Sequence, residues 1–337
     1  MRVYKYRGGD DETFQRDLGS LESDYFWAPT KEKLNDPCEG MVHHENLYTE
    51  IDKFSRIMGV SAVNDVTGNL KESLSNLINK RNTAGVYSLS KSHTDELLWA
   101  HYASNHTGFC IEYDLDLLMS FGQNDYLKFD VGYSDHPPVL TLDDMFRLDE
   151  KENFIRKIIG QKSNRWRYEN EIRILTSQSG RCDYDFRAVK SIYFGLRMPE
   201  SRVAAITNRM AGRGIQYFQM CLGNNSYELF CASVPDPHLD APQYKYSIAP
   251  LGNGALMPEY LHERWKGFEE YLKKMAEIVR REPYCNEVTY VEVSTDKSSP
   301  GKPIFFGQYQ RSENRYENLY LSPAEIDYRY SQILDIE

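Results

Sequence analysis

The chain has 337 residues, enough for one large domain or two small ones and for a core that needs neither disulfides nor metals. Lys+Arg number 40 and Asp+Glu 50, a formal charge of −10 that argues against a nucleic-acid coat or a dedicated membrane-surface binder. Aromatics reach 13% with 25 Tyr, which offers stacking platforms for nucleotides, sugars or partner proteins without choosing among them.

In chain order, residues 2–7 read as a short strand. Residues 46–58 and 65–82 read as polar helices, the second spaced by Leu70, Leu74, Leu77 and Ile78. Residues 85–90 read as a strand, and 94–104 as a short helix with Thr94 at its N-cap and Gly108 near its stop. Strands follow at 109–114 and 126–133. A helix over 143–162 carries Met145, Phe146, Phe154, Ile155, Ile158 and Ile159. Residues 168–176 alternate as a strand. Strand 189–196, helix 199–212 and strand 215–222 form a short βαβ unit, and strand 227–234 follows. Residues 235–257 hold Pro235, Pro237, Pro242, Pro250, Gly252 and Gly254 and read as a linker. Residues 258–281 give the cleanest helical pattern, with Leu261, Trp265, Phe268, Leu272, Met275 and Val279 in register and Pro283 as the stop. A hairpin over 286–294 and 303–310 is expected next, then a polar tail.

The expected fold is therefore α+β, a mixed and mainly antiparallel sheet with flanking helices. Residues 1–234 form the main domain, and a C-terminal helix-and-hairpin module over 258–337 packs on it. The opening residues have no apolar signal region, and no stretch of about 18 apolar residues exists, so a cytoplasmic protein is expected. Cys38, Cys110, Cys182, Cys221, Cys231 and Cys285 lack metal-ligand spacing and read as reduced thiols.

Five segments could carry chemistry. In YENEIRIL, strand alternation places Glu169, Glu171 and Arg173 on one face with Trp166 and Tyr168 near them, a pair of carboxylates whose pKa values would split. In VYSLS, Ser88 and Ser90 share a face as positioning groups, with no nucleophile elbow around them. In VYKYRGG, Arg7 ends a strand where it can hold a phosphate, and Gly8 and Gly9 let a ligand approach the backbone. In LLWAHYASNHTG, His101 and His106 are five apart, poor geometry for a shared metal, while His101 and Tyr102 could face a pocket. In LNDPCEG, Asn35-Asp36-Pro37 is a turn, and Glu39 is a functional acid or part of that turn. No dinucleotide-binding glycine fingerprint or Walker A motif occurs.

Taken together, YKYR, LNDPCE, SLS, LWAHYASNHTG and WRYENEIR resemble an uncharacterised bacterial family known only as a domain of unknown function, over roughly residues 3–200. Their order is also similar to ADP-ribosyltransferases of the Arg-Ser-Glu class. These carry an aromatic-Arg strand end, a Ser-x-Ser strand, a short helix and strand, and then a Glu-x-Glu strand. The chain departs in having Leu89 where that class usually has Thr, and in gaps of 81 residues from Arg7 to Ser88 and from Ser88 to Glu169. The resemblance implies an NAD-consuming transferase, a bacterial toxin or defence effector, with NAD as substrate and a protein or nucleic acid as acceptor. It implies catalytic roles for Arg7, Ser88, Glu169 and Glu171. Glu171 would stabilise the oxocarbenium-like transition state and Glu169 would orient the acceptor. Tyr6, Arg7, Ser90, Trp99, His101, Tyr102 and Arg173 would line the NAD pocket. The alternatives are an NAD glycohydrolase, a metal-dependent nuclease using Glu169, Glu171, Asp36 and a histidine, or a non-enzymatic sensor. In the last of these the C-terminal module would engage a partner or a second copy.

Overall fold

The computed structural model describes residues 1–43, 46–47, 49–51, 53, 82–121, 126–141, 143–144 and 151–334, the side chains of 151–154 and 334 excepted. They divide into two compact units, Met1–Ala241 and Pro242–Glu337. The boundary lies inside the Pro- and Gly-rich stretch.

The first unit is built on an eight-stranded sheet. Its strands are β1 (Arg2–Arg7), β3 (Gly85–Ser90), β4 (Phe109–Asp114), β5 (Leu127–Asp130), β8 (Glu171–Thr176), β10 (Val189–Phe194), β11 (Gln216–Leu222) and β12 (Leu229–Val234), in the order β12-β11-β10-β4-β1-β3-β8-β5. Only β10 and β11 run parallel, joined by helix Glu200–Arg209, so the expected βαβ unit forms within an otherwise antiparallel sheet. The short strands β2 (Tyr25–Ala28) and β9 (Gly180–Asp183) pair with each other, as do β6 (Gly132–Ser134) and β7 (Gln161–Ser163).

One face of the sheet packs Val3, Tyr87, Leu89, Ile172 and Ile174 against Phe14, Leu18 and Leu21 of helix Asp11–Glu22. That helix and β2 were not anticipated from the sequence. A second buried group, Tyr6, Leu98, Trp99, Cys110 and Tyr193, sits around helix Glu96–Tyr102. Asp95 rather than Thr94 caps that helix, its Oδ1 accepting from the Leu97 and Leu98 amides at 3.0 Å each. All six cysteines are free.

The two flanks of β1 differ. Against β4 it pairs at six positions, from Arg2↔Asp114 to Arg7↔Phe109, and against β3 at one, Tyr4↔Ser90. Gly108 allows the close side, since a Cβ there would lie 2.0 Å from the Arg7 carbonyl oxygen. Beyond Tyr4 the strands β1 and β3 part, and the sheet opens.

The second unit packs a three-stranded antiparallel sheet, β13 (Glu287–Val293), β14 (Phe305–Ser312) and β15 (Arg315–Leu321), with helices Glu269–Val279 and Pro323–Leu334. The expected hairpin is β13 and β14. The polar tail in fact supplies a third strand and a helix. The helix expected over 258–281 is shorter. Pro258–Tyr260 and Glu263–Trp265 are 3₁₀ turns, and Gly267 at φ +95° interrupts the chain before the helix starts. Leu261 and Trp265 keep helical spacing because both reach the same core, not because one helix carries them.

The helix expected over 65–82 lies almost wholly outside the described residues, as do residues 145–150 of the helix expected over 143–162, whose C-terminal part is Lys151–Ile159. Of residues 46–58, those described are helical, with Leu47 and Ile51 buried.

Candidate active site

A cleft of about 650 Å³ occupies the opening between β1 and β3, within the roughly 300–1,000 Å³ usual for small-molecule sites. Arg7, Ser88 and Glu171 all line it, with Tyr6, Ser90, Glu169, Tyr102 and Arg173. The structure therefore brings together most of the residues singled out above. Trp99 and His101 do not line it. Trp99 is fully buried with its Nε1 donating to the His93 carbonyl, and His101 meets the Tyr168 hydroxyl at 3.1 Å. Nor do Gly8 and Gly9 form a ligand cradle. A Cβ on Gly8 would meet the Ala103–Ser104 backbone at 2.5 Å, so this glycine serves chain packing.

The acidic segment is not one continuous strand. Asn164–Glu169 form a 3₁₀ helix, Asn170 takes a left-handed conformation at φ +43°, and β8 begins at Glu171. Asn tolerates this backbone because its short polar side chain relieves the steric cost. Glu169 therefore reaches the cleft from the end of a helix, and Glu171 and Arg173 reach it from alternate positions of β8.

These side chains meet Lys162 from β7 and Glu39 from the Asn35–Glu39 turn in a buried ionic floor. Arg173 donates to Glu171 through Nε at 2.8 Å and Nη2 at 3.2 Å, lies 2.6 Å from Glu39, and also meets the Ile159 carbonyl. The Lys162 ammonium is 2.5 Å from Glu169, 3.4 Å from Glu171 and 3.9 Å from Glu39. It also lies 4.9 Å from the centre of the Trp166 ring. Side-chain exposure across the five runs from 0% for Arg173 to 7% for Glu169. Three carboxylates against two cations leave one negative charge in excess. Glu39 takes Arg173 as its near partner and Lys162 as its distant one.

Glu169 is tied at three points. Its Oε1 accepts from the Tyr102 hydroxyl at 2.5 Å, its Oε2 holds Lys162, and its carbonyl accepts from Ser90 Oγ at 2.8 Å. Asn35 in turn donates to Tyr102 at 2.6 Å. The Tyr133 hydroxyl accepts from the Glu171 amide, and the Ser88 hydroxyl bonds the Glu171 carboxylate.

The two carboxylates separate in proton affinity. Burial raises Glu169, and Lys162 only partly offsets it. Burial also penalises ionised Glu171, but Arg173 and Lys162 outweigh that and hold it down at about 2. Glu39 is raised by burial. This is the division between a group that stays ionised and one that can exchange a proton.

The other wall is cationic. Lys5 donates to the Ser88 carbonyl at 2.8 Å and lies 4.8 Å from the centre of the Tyr87 ring. Burial and the neighbouring Arg7 push its pKa down to about 7. Arg7 donates to the Tyr87 hydroxyl at 3.4 Å and pairs with buried Asp17 at 3.6 Å. Lys5, Asp17 and Lys162 received no role from the sequence. Lys5 was readable, since it precedes Arg7 by two on a strand. Lys162, in an unremarkable Gln-Lys-Ser, carried no signal.

Among the described residues, no group of three or more His, Cys, Asp or Glu is placed to hold a metal, and no helix is long and apolar enough to cross a membrane. Residues 98–174 match a family described as Protein of unknown function (DUF2971), an uncharacterised domain family as expected, over a shorter span than 3–200. That span takes in Tyr102, Lys162, Glu169, Glu171 and Arg173, and leaves Arg7, Asn35, Glu39 and Ser88 outside it. No curated protein and no solved structure matches the chain.

Proposed function

We propose that the cleft binds NAD and breaks its nicotinamide–ribose bond, as an ADP-ribosyltransferase-like enzyme would. The observation that carries this reading is that Arg7, Ser88 and Glu171, separated by 81 and 83 residues in the sequence, line one ligand-sized cleft where the sheet opens. The charge distribution supports it. Lys5 and Arg7 suit a diphosphate, half-buried Tyr102 lies on the cleft wall, and the floor with its excess negative charge suits a sugar that becomes cationic.

In this reading the C1′–N bond breaks with its electron pair leaving on the nicotinamide nitrogen, and positive charge develops on the ribose. Glu171, fixed by Arg173 and Ser88 and kept ionised by Arg173 and Lys162, presents a held negative charge to that cation. Its hydrogen bonds hold the charge in place before the reaction, which is where such stabilisation is most effective. Consumption of NAD would make the protein a toxin or defence effector in a bacterial host.

The test is titration calorimetry with NAD together with nicotinamide release, for wild type and Glu171→Gln. Wild type should bind NAD and release nicotinamide. The variant should bind with similar affinity and react ~100-fold more slowly or worse. A wild-type chain that neither binds NAD nor releases nicotinamide overturns the reading.

A further inference from the structure

We propose that the adenine base of the dinucleotide stacks on Trp27, at the end of the cleft away from the acidic floor. The inference rests on the NAD reading above. It names the residue that takes the half of the ligand in which no bond breaks.

Strand pairing fixes an order along the cleft. On β3, Ser90 pairs with Glu171 and Ser88 with Arg173, so the acidic floor lies at the Ser90 end. Lys5 reaches the Ser88 carbonyl, and Arg7 reaches the Tyr87 hydroxyl one residue further back along β3. Val86 comes next, and its amide donates to the carbonyl of Pro29, just after β2, at 2.8 Å. From Ser90 to Val86 the strand covers about 13 Å, at about 3.3 Å per residue. Acid, two cations and then the end of β2 therefore follow one another along the opening. In NAD the nicotinamide ribose, the diphosphate and the adenosine follow one another in that order.

The end of β2 carries the aromatic surface that an adenine needs. Alternation buries Phe26 and Ala28 and turns Tyr25 and Trp27 to the cleft. Phe26 stacks on Tyr87 at 4.3 Å, which ties β2 to the sheet beneath it. The Tyr25 ring is already covered by the Arg181 guanidinium at 4.1 Å. Trp27 is 57% exposed and has no ring, cation or hydrogen-bond partner among the described residues. It is the one exposed tryptophan of the four, since Trp99 and Trp265 are buried and Trp166 is half-buried. A large flat ring on the wall of a ligand-sized cleft is a platform for a base, and stacking there requires no matching hydrogen bonds.

The experiment titrates the full chain with NAD, with ADP and with nicotinamide mononucleotide, which lacks the adenosine, by calorimetry and by intrinsic tryptophan fluorescence. ADP should quench the wild-type emission. Trp27→Ala should bind NAD and ADP about tenfold more weakly or worse, and the ratio of its NAD affinity to its mononucleotide affinity should fall by a similar factor. Trp27→Phe keeps a ring face. It should hold NAD affinity within about threefold of wild type and lose the quench. Undiminished NAD binding by Trp27→Ala, or an equal loss for NAD and the mononucleotide, overturns the stacking site and leaves the NAD reading standing. A wild-type chain that binds none of the three ligands overturns both.

Discussion

Strand β8 serves two regions that are equally dry and chemically opposite. Ile172 and Ile174 point into an apolar core with Val3, Tyr87 and Leu89, while Glu171 and Arg173, alternating with them, point into an ionic floor with Glu39, Lys162 and Glu169. All four β8 side chains are at most 4% exposed. Burial alone therefore does not separate packing from function. The apolar side tolerates other apolar groups of similar volume. The ionic side tolerates only complete sets of partners, because an unpaired buried charge is costly.

The sharpest way to break this comparison is Arg173→Met, which strands Glu39 and Glu171 without their main partner. It should cost about 3–5 kcal/mol in urea unfolding. Ile174→Ala on the apolar side should cost about 2–5 kcal/mol, through lost burial and a residual cavity, with no effect on nucleotide specificity. A loss under 1 kcal/mol at Arg173 would mean that solvent reaches the floor.

A smaller effect comes from Lys5. Its folded pKa, lowered to about 7 by burial and by Arg7, lies below its unfolded value. Above pH 7 the unfolded chain therefore binds the extra proton, and stability rises with pH from about 7 to about 10.5. The stability of wild type relative to Lys5→Met should rise across that window. Affinity for a diphosphate ligand should fall through the same lower limit as the ammonium is lost. A flat difference between the two proteins would place Lys5 in water. The smallest effect is expected for Glu39→Gln. It removes the surplus charge but leaves an amide oxygen for Arg173, and should change stability by no more than about 1 kcal/mol.

The strands of the main sheet were legible because their signal, a short run rich in apolar residues as in 85–90 and 109–114, is local and needs no knowledge of the partner. The cleft was legible only in part. Arg7, Ser88 and Glu171 come from motifs whose residue types suit one chemistry, whereas Lys162 and Asp17 enter through tertiary placement from segments without pattern. Trp99 and His101 were misplaced for a related reason. Both sit on or beside helix Glu96–Tyr102, and the sequence could not say which side of it faces the opening. The helix expected over 258–281 failed because helical spacing records which residues are buried. Gly267, with its left-handed backbone, decides where the helix begins.

The left-handed Asn170 has a consequence for how such sites are recognised. A single residue outside the ordinary backbone regions connects a helical end to a strand start, and so sets the separation of two carboxylates that belong to different elements. The central position of the acidic triplet is thus a joint and not a spacer. Asn, Asp or Gly can form it, while Val or Ile would straighten the chain and turn Glu169 away from Lys162 and Tyr102. A search for chains with the same arrangement should weigh that middle letter as heavily as the two acids that flank it.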